Sequence, residues 1–499
     1  MRRVIRPIRS ALAPPREGPP RRPPPPRRST STTTTTAARG RIVERTPPRR
    51  HPPGIFPMHV LGCGPVGLLY ASAMIDAARD DEMRGSSGAE AGDRGCDDVD
   101  YRDDHGGGGT GPPVTLLLRP HHKSRLGRRP LPHPRSGGDD ADDDPDARIA
   151  RVVVRCPPPS GHDGGAGVVA SRRDVPSELL TTTTTTADCG GPIRCLLLCT
   201  KANDAIDALG GVWERLLSKS SSSASSEASS EAVRGTIRDP ARVIILSNGA
   251  LAIRDAMYDR FGGGDGAGGR TSDGVRVVLG TTTHGAYRNR PSGEGGEEDG
   301  DCCGYDFVGH YDITHAGIGL TSCADVEFVD ACRSIGWDAA HCEHDGEMDA
   351  VLWRKLAANC VINPLTAIRG VRNGGLLDAI TTGWGEGDEM RTIAMGLLEE
   401  VSAVATAEMR RRGSMAAAES LSVPSLEEFV LGVMSATREN ASSMLQDVEA
   451  GRTTEVRFLN GYVSSVGRER HGIECPRNDD MCRLVEELKS SSCASVRGI

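Results

Sequence analysis

In the stretch WRKLAANCVINPL, residues 353–365, Lys355, Asn359 and Asn363 recur at i, i+4 and i+8, which stacks them in one row on a helix. The remaining faces carry Val351, Leu352, Trp353, Leu356, Ala357, Ala358, Cys360, Val361 and Ile362. An ammonium on a long stem is a proton source, and amides in line with it offer donors and acceptors to a polar ligand. The bland reading is a snorkelling lysine with two amides that satisfy backbone groups at a helix end. The row alone leaves both open. Pro364 removes one helical hydrogen bond and is expected to loosen the turn that carries Asn363.

A second constellation is the run HVLGCGPVGLLYASAM, in which Gly62, Gly64 and Gly67 form G-x-G-x-x-G with Cys63, Pro65 and Val66 between them. After an apolar strand and before an apolar helix, this spacing suits a dinucleotide. The first glycine permits the tight turn, the second lets backbone approach a pyrophosphate, and the third lets helix pack on strand. Pro65 fits a first helical turn, and phosphate meets the free N–H groups at the helix start. The next strand, in VTLLLRPHHKSR, ends in Arg119 with Lys123 and Arg125 nearby and no acid. A guanidinium there suits a 2′-phosphate, so NADP(H) is expected over NAD(H). A solvated basic turn is the alternative.

Four further residues carry polar chemistry at element ends. Lys201, in CTKAND, and Asn248, in SNGA, each follow a strand end, where such folds face their ligand. A surface lysine and a plain turn are the alternatives. Glu455, in RTTEVRFLNGYV, reads from sequence as the first turn of a helix capped by Thr453 or Thr454. Ser443, in NASSMLQD, reads as an ordinary mid-helix hydroxyl.

The elements that must position these residues follow from periodicity. Short apolar runs at Ile55–Leu61, Val114–Leu118, Ile149–Val154, Ile193–Cys199, Val243–Leu246 and Val275–Leu279 suit strands covered on both faces. Helical patterns at Pro65–Ala78, Ala205–Leu217 and Leu251–Phe261 alternate with them, which implies a doubly wound, mainly parallel sheet. Beyond about residue 345 helices follow one another, at 349–362, 386–411, 425–449, 453–470 and near 478–489. The expected architecture is an α/β Rossmann-type domain, residues 55–345, followed by an all-α domain, residues 346–499, with the site in the cleft between them. Residues 80–113, 124–147, 181–186, 218–232 and 290–304 are low in complexity and read as surface insertions.

Charge is unevenly placed. Residues 1–54 hold fourteen Arg, no Lys and only Glu17 and Glu44, a net of +12, against −20 for the remainder and −8 for the whole. The Arg- and Pro-rich tail reads as disordered, and as an organelle transit peptide; an addressless tail with a cytoplasmic protein is the alternative. The acidic body argues against nucleic acid, and no run of 18 apolar residues suggests a membrane helix. The cysteines show no CxxC spacing and read as reduced thiols. His341-Cys342-Glu343-His344 reads as a polar loop rather than a metal site. A homodimer is compatible with the sequence, which does not fix oligomeric state.

Taken together, LGCGPVG, LLLCTKANDAIDAL, ILSNGA, GTTTHGA, HAGIG, WRKLAANCVINPLTAI, SSMLQD, TTEVRFLNGYV and HGIECPRN resemble the ketopantoate reductase (2-dehydropantoate 2-reductase) family, in order from about residue 55 to 490. The resemblance implies NADPH-dependent reduction of 2-dehydropantoate to pantoate, in pantothenate and coenzyme A synthesis. It implies Lys355 as proton donor and Asn359, Asn363, Asn373 and Ser443 as substrate positions. Asn248 would touch substrate and cofactor, and Glu455 would lie beside nicotinamide and substrate. Gly62, Cys63, Gly64, Pro65, Val66, Gly67, Arg119, Lys201 and Ala286 would be cofactor positions. A reductase of another 2-oxo acid, or a non-catalytic NADP(H)-binding regulator, are the competing expectations.

Overall fold

The computed structural model describes residues 56–86, 113–118, 127–128, 148–156, 169–180, 191–218, 240–262, 269–289, 311–317, 319–382 and 386–496. The Arg-rich start, Arg119 and most of the low-complexity segments therefore lie outside the described residues.

The strands are β1 Met58–Leu61, β2 Val114–Leu118, β3 Gly127–Arg128, β4 Arg148–Cys156, β5 Val169–Leu179, β6 Cys195–Leu198, β7 Arg242–Ile245, β8 Arg276–Thr282, β9 Gly285–Arg288, β10 Tyr311–Gly317, β11 Leu320–Cys323 and β12 Asp338–His341. The helices of the same region are α1 Pro65–Ser86, α2 Ala202–Gly210, α3 Trp213–Leu217, α4 Ala250–Phe261 and α5 Val326–Ser334. Strands β8-β7-β6-β1-β2 lie side by side and parallel, with β1 between β6 and β2. Their Val, Ile and Leu side chains are buried on both faces, as continuous apolar runs require in a sheet with helices on both sides. Helices α2 and α4 join the core on one face, and α1 lies on the other.

The remaining strands bend the sheet around α1. β4 pairs antiparallel with β5 over nine residues, and β5 pairs parallel with β2. Beyond them, β9 and β10 pair antiparallel, as do β8 and β11, so residues 276–288 and 311–323 run alongside each other through a bend near Gly319. A Cβ on Gly319 would stand 2.3 Å from the carbonyl carbon of Thr283. Helix α1 packs against β1, β2, β4, β5, β9 and β10, and Leu68, Tyr70, Ala71 and Met74 are fully buried. Its first half, Pro65–Ile75, carries no charge and belongs in such an enclosed position. It runs to Ser86, further than the expected start of an insertion at residue 80.

From Asp345 onward the chain is helical: α6 Asp345–Arg369, α7 Asn373–Thr381, α8 Glu386–Arg411, α9 Met415–Glu419, α10 Val423–Ala436, α11 Ser443–Glu449, α12 Asn460–Val466 and α13 Pro476–Val496. The expected helix at 453–470 is instead a 3-10 turn, Val456–Phe458, then α12, then a π turn, Gly467–His471. The expected helix at 425–449 breaks into α10 and α11. Both halves of the chain share one apolar core, in which α2 and α4 meet α6, α8 and α12.

Helix α6 passes straight through Pro364. The proline leaves the carbonyl four residues back, on Cys360, without its helical donor. Asn460 supplies one: its Nδ2 donates to Cys360 O at 2.9 Å and to Asn478 Oδ1 at 3.0 Å. Thr366 Oγ1 donates to Ile362 O at 2.7 Å on the same turn. The turn carrying Asn363 is therefore braced rather than loosened. A buried ionic network adds a second brace between the two halves. Arg254 of α4 donates to Asp349 of α6 at 2.9 Å, and Arg412 reaches the same carboxylate at 3.0 Å. Replacing Asn460 by Ala should orphan the Cys360 carbonyl. The loss expected is about 1–3 kcal/mol, the penalty of an unsatisfied buried group, read as a lower urea midpoint at unchanged slope.

Candidate active site

The glycine loop turns between β1 and α1. Gly62 has φ +120°, and a Cβ there would stand 2.7 Å from Cys199 C and Thr200 N, at the end of β6. A Cβ on Gly67 would stand 2.0 Å from Gly62 O. Both positions are closed to side chains by the protein's own backbone. Gly64 differs: its nearest neighbour would be Cys199 O at 3.9 Å, so this face of the loop is open to a ligand. Pro65 begins α1 and Leu68 N closes the first turn on Gly64 O at 3.0 Å. Cys63 and Val66 are half-buried beside the loop. An open middle glycine at a helix start fits a pyrophosphate.

A narrow cleft lies beyond the ends of β7 and β8, lined by Asn248 and Thr281 from the sheet and by Lys355, Asn359, Phe458 and Tyr462 from the helices. Lys355 Nζ donates to Thr281 Oγ1 at 2.8 Å and to Thr282 O at 3.1 Å. Its stem is packed along α6, and burial lowers its pKa from 10.5 to about 8, while the Glu455 carboxylate pulls it back up. An ammonium held that close to neutrality gives up its proton readily.

Glu455 does not cap the turn it precedes. Its Oε1 accepts from Ala202 N at 2.9 Å, at the positive start of α2, and its Oε2 accepts from Asn248 Nδ2 at 3.4 Å. Burial raises its pKa, opposed by the Ala202 N–H and by Lys201. The flanking residues continue this seam. Lys201 Nζ pairs with both Asp447 oxygens at 2.7 Å and reaches Thr453 O at 3.4 Å; Asn203 Nδ2 donates to Thr454 O at 3.0 Å. Three consecutive residues at the start of α2 are thus stitched to residues 453–455. The seam also links the loop to the cleft, since Thr200 abuts Gly62 and Asn248 lines the cleft.

The other sequence candidates are placed as follows. Asn359 lines the cleft one turn from Lys355. Asn363, a further turn on, is buried outside that lining. Asn373 begins α7, where its Nδ2 donates to Thr437 Oγ1 at 2.8 Å and its buried Oδ1 has no hydrogen-bond partner among the described residues. Ser443 is exposed at the first turn of α11, and the preceding residue, Ser442, is the cap. Ala286 sits half-buried on β9. His341 ends β12 and His344 precedes α6 without a side-chain capping bond, with Cys342 buried between them. Thr281, Tyr462 and Asp447 were not singled out by sequence reasoning. Thr281 falls inside the GTTTHGA motif, which carried a signal; Tyr462 and Asp447 owe their roles to tertiary contacts.

Residues 347–489 match the family described as "Ketopantoate reductase PanE/ApbA C terminal". A 2-dehydropantoate 2-reductase of Shigella flexneri is 35% identical over 215 residues, 43% of this chain and 59% of that protein. One from Vibrio cholerae serotype O1 is 36% identical over 218 residues, 43% of this chain and 62% of that protein. The chain thus spans about three fifths of the length of these relatives. Among solved structures, a ternary D-mandelate dehydrogenase with NADH and anilino(oxo)acetate aligns at TM-score 0.50 and 15% identity, covering 87% of this chain and 98% of that one; this is a likeness of fold.

The loop geometry separates two glycines experimentally. Gly67→Ala should unfold the β1–α1 turn and lower the melting temperature sharply. Gly64→Ala should leave the melting temperature near the parent value and weaken anionic ligands instead. Equal loss of stability in both variants would contradict the account. Residues 347–489 are similar to the C-terminal family of ketopantoate reductases, and the relatives point the same way as the resemblance carried by the motifs.

Proposed function

We propose that the protein reduces 2-dehydropantoate to pantoate, with NADPH as the reductant. The observation that carries the reading is the Lys355 ammonium, which lines one cleft with Asn248 and Asn359, while Glu455 ties Asn248 to the start of α2 beside the glycine loop. The named relatives support the substrate class.

When bound, NADPH supplies the hydride that reduces the 2-oxo carbon. The chain's own residues do the rest. Thr281 and Thr282 hold Lys355 Nζ at the cleft wall. Lys355 then gives one proton to the carbonyl oxygen as negative charge develops there, and regains one from solvent. Asn248 and Asn359 offer donors and acceptors to the substrate's hydroxyl and carboxylate groups. Glu455 orients Asn248 and opposes the loss of charge on Lys355. Arg119 is assigned to the 2′-phosphate by its place after β2, and residues 1–54 are assigned to organelle targeting. Reduction of another 2-oxo acid is the second reading. It draws on Asn373 and Ser443, which the cleft lining does not include.

Purified full-length protein assayed with NADPH should oxidise it with 2-dehydropantoate. Turnover only with a different 2-oxo acid would support the second reading, and tight NADPH binding without turnover would identify a regulator. Lys355→Ala should cut kcat by roughly 10²–10⁴-fold, the usual loss of a positioned acid, with NADPH affinity little changed. Because the acid is the cationic form, kcat/KM should fall as pH rises through about 8. A flat profile to pH 10 would remove Lys355 from proton transfer. Arg119→Ala should weaken NADPH far more than NADH, and an equal loss would defeat the 2′-phosphate assignment.

A further inference from the structure

We propose that Arg288 is a further anchor for the dinucleotide, its guanidinium meeting the pyrophosphate where that group crosses the glycine loop. The inference rests on the cofactor reading above and adds a residue to it. Arg288 ends β9, two positions beyond Ala286, and residues at i and i+2 of a strand share a face. Its Nη2 donates to Cys63 O at 2.5 Å, and Cys63 lies between Gly62, closed by backbone, and Gly64, open to a ligand. The guanidinium carbon lies 5.6 Å from the ring centroid of Tyr311, a residue that is itself fully buried. An exposed side chain is thus propped at one place rather than free in solvent.

Among the described residues the guanidinium makes one hydrogen bond, to Cys63, which leaves most of its five N–H donors unspent there. Among the described residues no carboxylate pairs with Arg288, so its charge is not neutralised there. A planar fork beside a helix start matches the geometry of a phosphate oxygen pair. The pyrophosphate is favoured over the 2′-phosphate because Cys63 belongs to the turn into α1. The 2′-phosphate is expected past Leu118, at the end of the neighbouring strand.

The competing role is purely structural, a pin between β9 and the loop. Two variants separate the roles. Arg288→Ala removes pin and charge together, whereas Arg288→Gln can still donate to Cys63 O but carries no charge. NADPH and NADH are each titrated into full-length wild type and both variants, following nicotinamide fluorescence at two ionic strengths. Both variants should bind both dinucleotides about tenfold to a hundredfold more weakly, by similar factors for each. The salt dependence of binding should also be shallower than in wild type. Wild-type affinity in Arg288→Gln would reduce the residue to a pin and overturn the proposal. A loss confined to NADPH would move the contact to the 2′-phosphate and also overturn it. Should Arg288→Ala not fold, Arg288→Gln alone decides. A wild type that binds neither dinucleotide would defeat the cofactor reading itself, a result distinct from normal binding in wild type and variants alike.

Discussion

The Lys355 ammonium, carried on a helix whose other faces are apolar, is the constraint around which this structure is arranged. Moving Lys355 from water to the cleft wall disfavours its charge, and Glu455 favours it. The balance falls near pH 8 only if both surroundings stay fixed. Trp353, Ala357, Cys360 and Val361 are buried on the other faces of α6, so the helix cannot rotate the lysine into solvent without uncovering a large apolar surface. Thr281 and the Thr282 carbonyl fix the far end of the side chain. The same wall that lowers the pKa therefore also aims the proton.

Fixing α6 against the sheet falls to polar groups at the junction. The carboxylate of Glu455 accepts the first N–H of α2 and an amide hydrogen of Asn248. It therefore satisfies a helix start, holds a cleft residue and tunes Lys355 at once. Lys201 and Arg452 share the buried Asp447 beside it, and Arg254 and Arg412 share Asp349 further back. A buried carboxylate with two cations has little freedom to shift, because losing either partner leaves charge uncompensated. These networks are better understood as fixing geometry than as a source of net stability.

How much of this was legible in sequence depended on whether local pattern or distant contact decided the outcome. β2 appears where its apolar run placed it, and α8 spans the expected 386–411. Both have strong local periodicity. β5 was missed because VASRRDVPSEL mixes charge and proline; its place comes from pairing with β4 and β2. The short β9, β11 and β12 likewise owe their form to pairing with β10, β8 and each other. At the site, Lys355 and Asn359 could be read from helical spacing, since both end at the cleft. Spacing could not tell that Asn363 on the same row would be buried outside it. Nor could it tell that Asn460 repairs the hydrogen bond that Pro364 removes, 96 residues earlier in the chain. Glu455 was legible only as a first-turn residue behind a threonine cap; that its carboxylate accepts from the start of α2 is a fact that only tertiary structure supplies.

The charge balance on Lys355 is the claim from which the proton-transfer role follows, and it can be observed without catalysis. A pH titration of the ¹³Cε resonance of Lys355, assigned by its loss in a lysine-substituted variant, reports the ammonium directly. The account predicts a midpoint near 8, moving lower in Glu455→Gln because an opposing carboxylate is gone. A midpoint near 10.5, the ordinary lysine value, and unmoved by Glu455→Gln would show a solvated side chain and contradict it.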